Sequence, residues 1–293
     1  MNSKRQATII IGFLVAAMFL ISACAAPTPT AVPTVAPTEA PKPTMVPAAT
    51  EACKPVAVNV FAAASLTESF KAMAPLFQKT EPCAELAFNF AGSQKLSQQL
   101  QDGAPADVFA SASSKNMDEV KTAGLIAEVG SQIFARNGLA VVVCPTSKFK
   151  VEEVKDLAQP GLKLVVAAKE VPVGGYTDQF LEKAATDATL GQSFVDAVKA
   201  NEVSFETDVK SVLAKVDICE GDAGIVYKSD AFTDKTTGIK SFLIPEALNI
   251  IAKYPIAMIK ASAYPEPAQK FIDFVLSDQG QLILEDNGFL KAK

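Results

Sequence analysis

The sequence predicts a two-lobed α/β fold, and three observations carry that reading. From Val56 to Lys121 apolar runs alternate with amphipathic helical stretches, the order of a parallel sheet flanked by helices. At Gly138 a second series of strands and helices begins. Near Pro255 an apolar run returns and is followed by helices alone. One arrangement accounts for this order. The chain builds a first lobe, crosses near Gly138, builds a second lobe, crosses back near Lys253 to Pro255 and completes the first. Each lobe is then a mixed, mostly parallel sheet flanked by helices, with two crossing strands as the hinge. Ligands of open α/β sheets bind outside the carboxyl ends of strands, so the cleft between the lobes is the expected site.

The elements follow in order. Val56 to Ala62 reads as a strand, and Leu66 to Gln78 as a helix with Leu66, Phe70, Met73 and Phe77 on one face. Ala84 to Phe90 is a strand, Gln94 to Gln101 a helix, Asp107 to Ala110 a short strand and Lys115 to Lys121 a helix. Gly138 to Cys144 is an apolar strand stopped by Pro145, and Leu162 to Ala168 another. Helices are expected over Val173 to Ala185, Gly191 to Ala200 and Thr207 to Val216, and short strands over Ala223 to Val226 and Ile239 to Ile244. After the run Pro255 to Ile259, two helices, Pro267 to Leu276 and Asp278 to Asn287, meet at Ser277.

Ahead of the folded part lies a targeting segment. Lys4 and Arg5 precede an uncharged stretch from Ala7 to Ala23, which ends in Ile21-Ser22-Ala23-Cys24. Small residues before a cysteine resemble a bacterial lipoprotein signal: residues 1–23 are removed and Cys24 becomes the lipidated first residue. Residues 24–53 then form a linker. Seven of the chain's 18 prolines fall between Pro27 and Pro47, interleaved with Thr and Ala. Such a segment buries no core and extends as polyproline II, at about 3.1 Å per residue, to a tether of roughly 80 Å.

Composition removes several classes of function. The formal charge is −5 with no basic cluster, which argues against nucleic acid as a partner. The absence of histidine removes the commonest general base, the commonest zinc ligand and any Ser-His-Asp triad. Four cysteines remain after Cys24: Cys53, Cys83, Cys144 and Cys219. In an exported chain they suggest two disulfides, with three possible pairings. If the first two strands are parallel neighbours their starts are adjacent, which favours Cys53–Cys83 and leaves Cys144–Cys219.

The candidate site is a set of helix starts at strand ends. Ser65 in VNVFAAASLTESF and Ser93 in AFNFAGSQKLSQQL occupy matching places in two consecutive strand-to-helix joints. A serine there offers a hydroxyl beside the positive end of a helix, which holds an anion without a charged side chain. Val171-Pro172-Val173-Gly174-Gly175 and Thr207-Asp208-Val209 place two further helix starts, with Thr207 as a candidate cap. Tyr227 ends a short strand, where a phenol reaches a cleft. Asp107 in GAPADVF reads as structural, bonding nearby backbone N–H groups.

In order and spacing, FAAASLTESF (61–70), NFAGSQKL (89–96), GAPADVFASAS (103–113), GLAVVV (138–143), VPVGGYT (171–177), ETDVKSVLAKV (206–216), GIVYKSDA (224–231) and YPIAMI (254–259) resemble the periplasmic molybdate-binding proteins of bacterial ABC importers. The resemblance runs over essentially all of residues 56–293. It implies a type II periplasmic-binding-protein fold, with residues 54–137 plus 255–293 as lobe one and 138–254 as lobe two. It implies a tetrahedral oxyanion, molybdate or tungstate, held by the hydroxyls of Ser65, Ser93 and Tyr227 and the backbone amides of Val173 and Val209. Gly92 before Ser93 departs from the family pattern. No cofactor, no directly coordinated metal and no catalytic residue is expected. The partners implied are an ABC permease and, through Cys24, the membrane surface. The protein is expected to be an extracytoplasmic, lipid-anchored monomer. The alternatives are a receptor for sulfate or phosphate and an enzyme on the same fold.

Overall fold

The computed structural model describes residues 53–233 and 238–292. The signal segment 1–23, Cys24 and nearly all of the 24–53 linker lie outside the described residues.

Two five-stranded sheets are built to the same plan. In the first, β1 (Val56–Ala63) lies between β2 (Ala84–Ala91) and β3 (Val108–Ala110), parallel to both. The strand β10 (Ala252–Ile259) runs antiparallel to β3, and β4 (Ile126–Asn137) antiparallel to β10. In the second, β6 (Leu164–Ala167) is parallel to β7 (Glu202–Glu206) and β8 (Ala223–Tyr227). There β5 (Leu139–Val143) runs antiparallel to β8, and β9 (Lys240–Leu243) antiparallel to β5. The orders are β2-β1-β3-β10-β4 and β7-β6-β8-β5-β9. Each sheet is therefore mixed, with one reversed strand, β10 or β5, among four that run the same way, as the expectation of mixed, mostly parallel sheets has it. The reversed strand is in each case the one that enters from the other sheet, β10 or β5, with no crossover helix to turn it parallel.

Only Gly138 separates β4 from β5, so one extended segment passes from the first sheet to the second. The return lies between β9 and β10, beside the first crossing. Asn249 binds both backbone groups of Leu139, accepting its N–H (2.7 Å) and donating to its carbonyl (3.0 Å). β10 starts at Ala252, three residues before the expected Pro255, which sits within the strand. A proline cannot donate to a ladder, and the β4–β10 register shifts between Tyr254 and Pro255 to accommodate it.

Nine helices cover the sheets among the described residues: α1 (Thr67–Thr80), α2 (Ser93–Gln101), α3 (Ser114–Thr122), α4 (Pro172–Thr186), α5 (Gly191–Asn201), α6 (Val209–Asp217), α7 (Lys228–Thr233), α8 (Pro265–Leu276) and α9 (Asp278–Asp286). The expected face of α1 is the buried one: Leu66, Phe70, Met73 and Phe77 are all shielded from solvent. Phe271 of α8 meets Phe70 and Phe77 edge-on, with centroids 5.5 and 5.4 Å apart. Asp107 is structural as expected. It accepts from Asn59 N–H (2.7 Å), Ser262 Oγ (2.6 Å) and Ala263 N–H (3.0 Å), tying the start of β3 to the turn after β10. The cysteines pair as Cys53–Cys83 and Cys144–Cys219, with Cα atoms 5.8 and 5.2 Å apart. Val56 N–H donates to Cys83 O (2.8 Å), which shows how adjacent parallel strand starts bring the first pair together.

Candidate functional site

The site grows out of strand register. β1 and β2 pair in parallel with Ala63 opposite Ala91. Ser65 and Ser93 each lie two residues beyond those paired ends, so both joints open at one level above the sheet. Ser65 sits in a single 3-10 turn (Ala64–Leu66) that leads into α1, and Ser93 is the first residue of α2. In the second sheet Ala167 of β6 pairs with Glu206 of β7, and the chain beyond these ends enters α4 and α6. Tyr227 closes β8 opposite Leu139.

A single small pocket joins these ends. Ala63, Ala64 and Ser65 line it from the first joint and Ala91, Gly92 and Ser93 from the second, with Ala112 beside them. Val171, Pro172, Val173, Val209 and Tyr227 line it from the second sheet. All five residues expected to hold an oxyanion therefore meet in one cavity. None of its lining residues carries a charge.

The helix starts leave donors free. No side chain caps α2 or α4. Pro172 has no N–H, which makes that of Val173 the first amide donor of α4. At α6 the expected cap Thr207 is corrected to Asp208, which accepts from Ser211 N–H (3.0 Å) and Ser211 Oγ (3.0 Å). Asp208 is preferred because its carboxylate takes two donors at the positive helix end. Gly174 lets α4 start this close to its strand: a Cβ there would lie 2.1 Å from the Ala168 carbonyl oxygen.

The hydroxyls are poised as donors. Ser93 Oγ accepts from Ala112 N–H (2.9 Å), which leaves its own proton for the pocket. Ser65 Oγ lies 3.0 Å from Tyr254 Oη. Tyr227 Oη is buried without a hydrogen-bond partner among the described residues. Burial, and then the neighbouring Tyr254 phenol, pushes the Tyr227 pKa well above the usual phenol value, so it keeps its proton. Burial likewise pushes Tyr176, whose ring meets Tyr227 at 6.4 Å, up to about 12.

Contacts across the pocket mouth hold the two sides together. Gln94 Nε2 of α2 donates to the Thr207 carbonyl before α6 (2.9 Å). Lys210 of α6 bonds Glu68 of α1 (2.7 Å) and Asp230 of α7 (3.0 Å). Burial pulls the Lys210 pKa down, but the Asp230 and Glu68 carboxylates more than offset it and the net shift is upward. Asp230 is fully buried and its pKa is raised by that burial, against the opposing pull of Lys210. Gly92 now has a physical reading. A Cβ there would lie 2.6 Å from the Thr207 carbonyl oxygen and closer still to the Gln94 side chain, so only glycine permits this closed contact.

Sequence reasoning missed three participants. Ala112 sets the polarity of Ser93, while Tyr254 and Asn137 stand behind Ser65. Tyr254 lies in the YPIAMI motif, but its hydroxyl partner is 189 residues away in sequence, and no local pattern announces that pairing.

Known proteins resemble this chain over most of its length. Residues 58–290 match the family model of bacterial extracellular solute-binding proteins. The molybdate-binding protein of Mycobacterium tuberculosis is 38% identical over 234 residues, spanning 80% of this chain and 84% of the relative. The molybdate-binding protein of Escherichia coli is 32% identical over 240 residues, spanning 79% and 88%. Among solved structures, the substrate-binding domain of a putative molybdenum ABC transporter from Clostridium difficile superposes with a TM-score of 0.61 at 33% identity, covering 81% of this chain and 99% of the other.

Proposed function

The chain belongs to the bacterial extracellular solute-binding protein family, and on that premise we propose that it captures molybdate, and tungstate with it, between two lobes and delivers it to an ABC permease. The lobes are residues 54–137 with 255–293, and residues 138–254. The ligand is held by the hydroxyls of Ser65, Ser93 and Tyr227 and the amides of Val173 and Val209. Lipid attached at Cys24, with the 24–53 linker as tether, keeps the protein outside the cytoplasm near its permease. It works as a monomer and as a binding protein, without cofactor or catalysis.

One observation carries this reading: an uncharged pocket in which two helix starts, two serine hydroxyls and a buried, unpartnered phenol converge. Such a site is rich in donors and offers no acceptor beyond hydroxyl lone pairs. Molybdate and tungstate are fully ionised at neutral pH and accept at every oxygen. Hydrogen phosphate brings a proton that needs an acceptor, yet Ser93 Oγ already accepts from Ala112 N–H. Sulfate is also a pure acceptor and is discriminated by its shorter bonds to oxygen. Isothermal titration with molybdate, tungstate, sulfate and phosphate tests the proposal. Tight molybdate and tungstate binding with weaker sulfate and phosphate is expected, and failure to bind molybdate at neutral pH refutes it.

A further inference from the structure

Behind Ser65 runs a chain of hydrogen bonds, directional from Asn137 to Tyr254 and open in direction between Tyr254 and Ser65. Asn137, the last residue of β4 before the crossing at Gly138, is fully buried. Its Nδ2 donates to Ser229 Oγ (2.8 Å) and to Tyr254 Oη (3.4 Å), and its Oδ1 accepts from Ser229 N–H (3.4 Å). A backbone N–H can only donate, so the amide is held with oxygen towards Ser229 N–H and nitrogen towards Tyr254. Tyr254 therefore receives a proton at its oxygen and has one proton of its own to place. Ser65 Oγ lies 3.0 Å from it, a distance at which either oxygen can donate. The ring is locked by edge-on contacts with Phe134, Tyr227 and Phe289 at 6.3, 5.8 and 5.3 Å between centroids. Burial keeps the phenol protonated, its pKa well above the usual value. When Tyr254 is the donor of this bond, the Ser65 hydroxyl keeps its own proton for the pocket.

We propose that Tyr254, itself oriented by Asn137, is a positioning residue for ligand binding: its hydroxyl donates to Ser65 Oγ and so commits and strengthens the Ser65 O–H as a donor to the bound oxyanion. The inference rests on the reading of Ser65 as a ligand contact. Chained hydrogen bonds polarise one another, and a donor fixed in advance loses less freedom on binding. The oxygen of Tyr254 never reaches the anion; it acts through Ser65.

A double-mutant cycle on the intact protein tests this, read by titration with molybdate. Ser65→Ala is expected to weaken binding at least tenfold, a cost of about 1.4 kcal/mol. Tyr254→Phe keeps the ring packing and is expected to weaken binding about three- to tenfold. In the Ser65→Ala background, Tyr254→Phe is expected to change the dissociation constant by less than about twofold. A purely structural role would cost the same factor in both backgrounds, and equal factors overturn the proposal, as does unchanged affinity in Tyr254→Phe alone. If Ser65→Ala itself binds normally, the ligand assignment of Ser65 fails instead. Replacing Tyr254 by a fluorinated tyrosine, a stronger donor of nearly the same shape, covers the case in which the phenylalanine variant does not fold. Tighter binding supports the relay, and unchanged or weaker binding overturns it.

Discussion

Removing the Tyr227 hydroxyl is expected to weaken the ligand complex while leaving the free protein no less stable. In the structure this oxygen is buried in the pocket wall and has no partner among the described residues. A buried hydroxyl left unmade costs about 1–3 kcal/mol. Tyr227→Phe deletes that cost while keeping the ring, so the ligand-free melting temperature is expected to hold or to rise by a few degrees, at about 2–4 °C per kcal/mol for a domain of this size. In the complex the same hydroxyl donates to an anionic oxygen, a bond worth about 1.5–3 kcal/mol, so the dissociation constant is expected to rise about 10- to 150-fold. Calorimetric titration with molybdate and thermal melts with and without ligand read both effects. Most substitutions of a buried residue lower both quantities together, so the opposite signs are diagnostic. Affinity within twofold of the parent, together with a lowered ligand-free melting temperature, would show that Tyr227 is a packing residue and would refute the reasoning.

Three further outcomes are expected. Gly92→Ala places a Cβ 2.6 Å from the Thr207 carbonyl oxygen, so the pocket cannot close fully; molybdate affinity should fall while ligand-free stability stays within about 0.5 kcal/mol, and unchanged affinity by titration would count against closure at this contact. Lys210→Met removes a cation from the buried Asp230. Because the pKa of Asp230 is already raised in the folded state, its contribution is most favourable below the ordinary carboxylate pKa and is lost as pH rises; melts should show a larger loss at about pH 8 than at about pH 5, Asp230→Asn in the same background should restore most of it, and a pH-independent loss would refute the assignment. Replacing Cys144 and Cys219 by serine opens a link between residues 75 apart in sequence, and on chain entropy should cost about 4 kcal/mol in denaturant titrations; a change below about 1 kcal/mol would show that the bond contributes little.

Much of the fold was legible because its strands are apolar and its helices amphipathic. The run from Val56 to Ala110 reads as β-α units with the buried face of α1 in place. The strands that escaped notice lie at sheet edges. β4 contains Glu128, Gly130, Ser131 and Gln132, and much of its length is exposed; it is a strand because β10 pairs with it. β7 exposes Val203 and Phe205 and is fixed by β6. Edge strands take their conformation from a partner more than from their own alternation. The mixed, mostly parallel character of the sheets was legible from the order of elements, whereas which strand is reversed was not, since an apolar run does not disclose its direction.

The site divides along the same line. Ser65 and Ser93 could be found because each follows its own strand directly, and parallel register then carries both to one level. What decides whether those hydroxyls act as donors is not local. Ser93 is set by Ala112, 19 residues away, and Ser65 by Tyr254, 189 residues away. A serine with a free lone pair and a free proton accepts or donates as its ligand requires and tells one anion from another poorly. Where a backbone or phenol donor occupies one lone pair, the hydroxyl is biased towards donating its proton into the pocket. On the proposed assignment, the selectivity of an uncharged site for a fully ionised oxyanion would be written in the groups behind Ser65 and Ser93, and Tyr254 becomes visible there only when the two crossings bring β4, β10 and the first joint together.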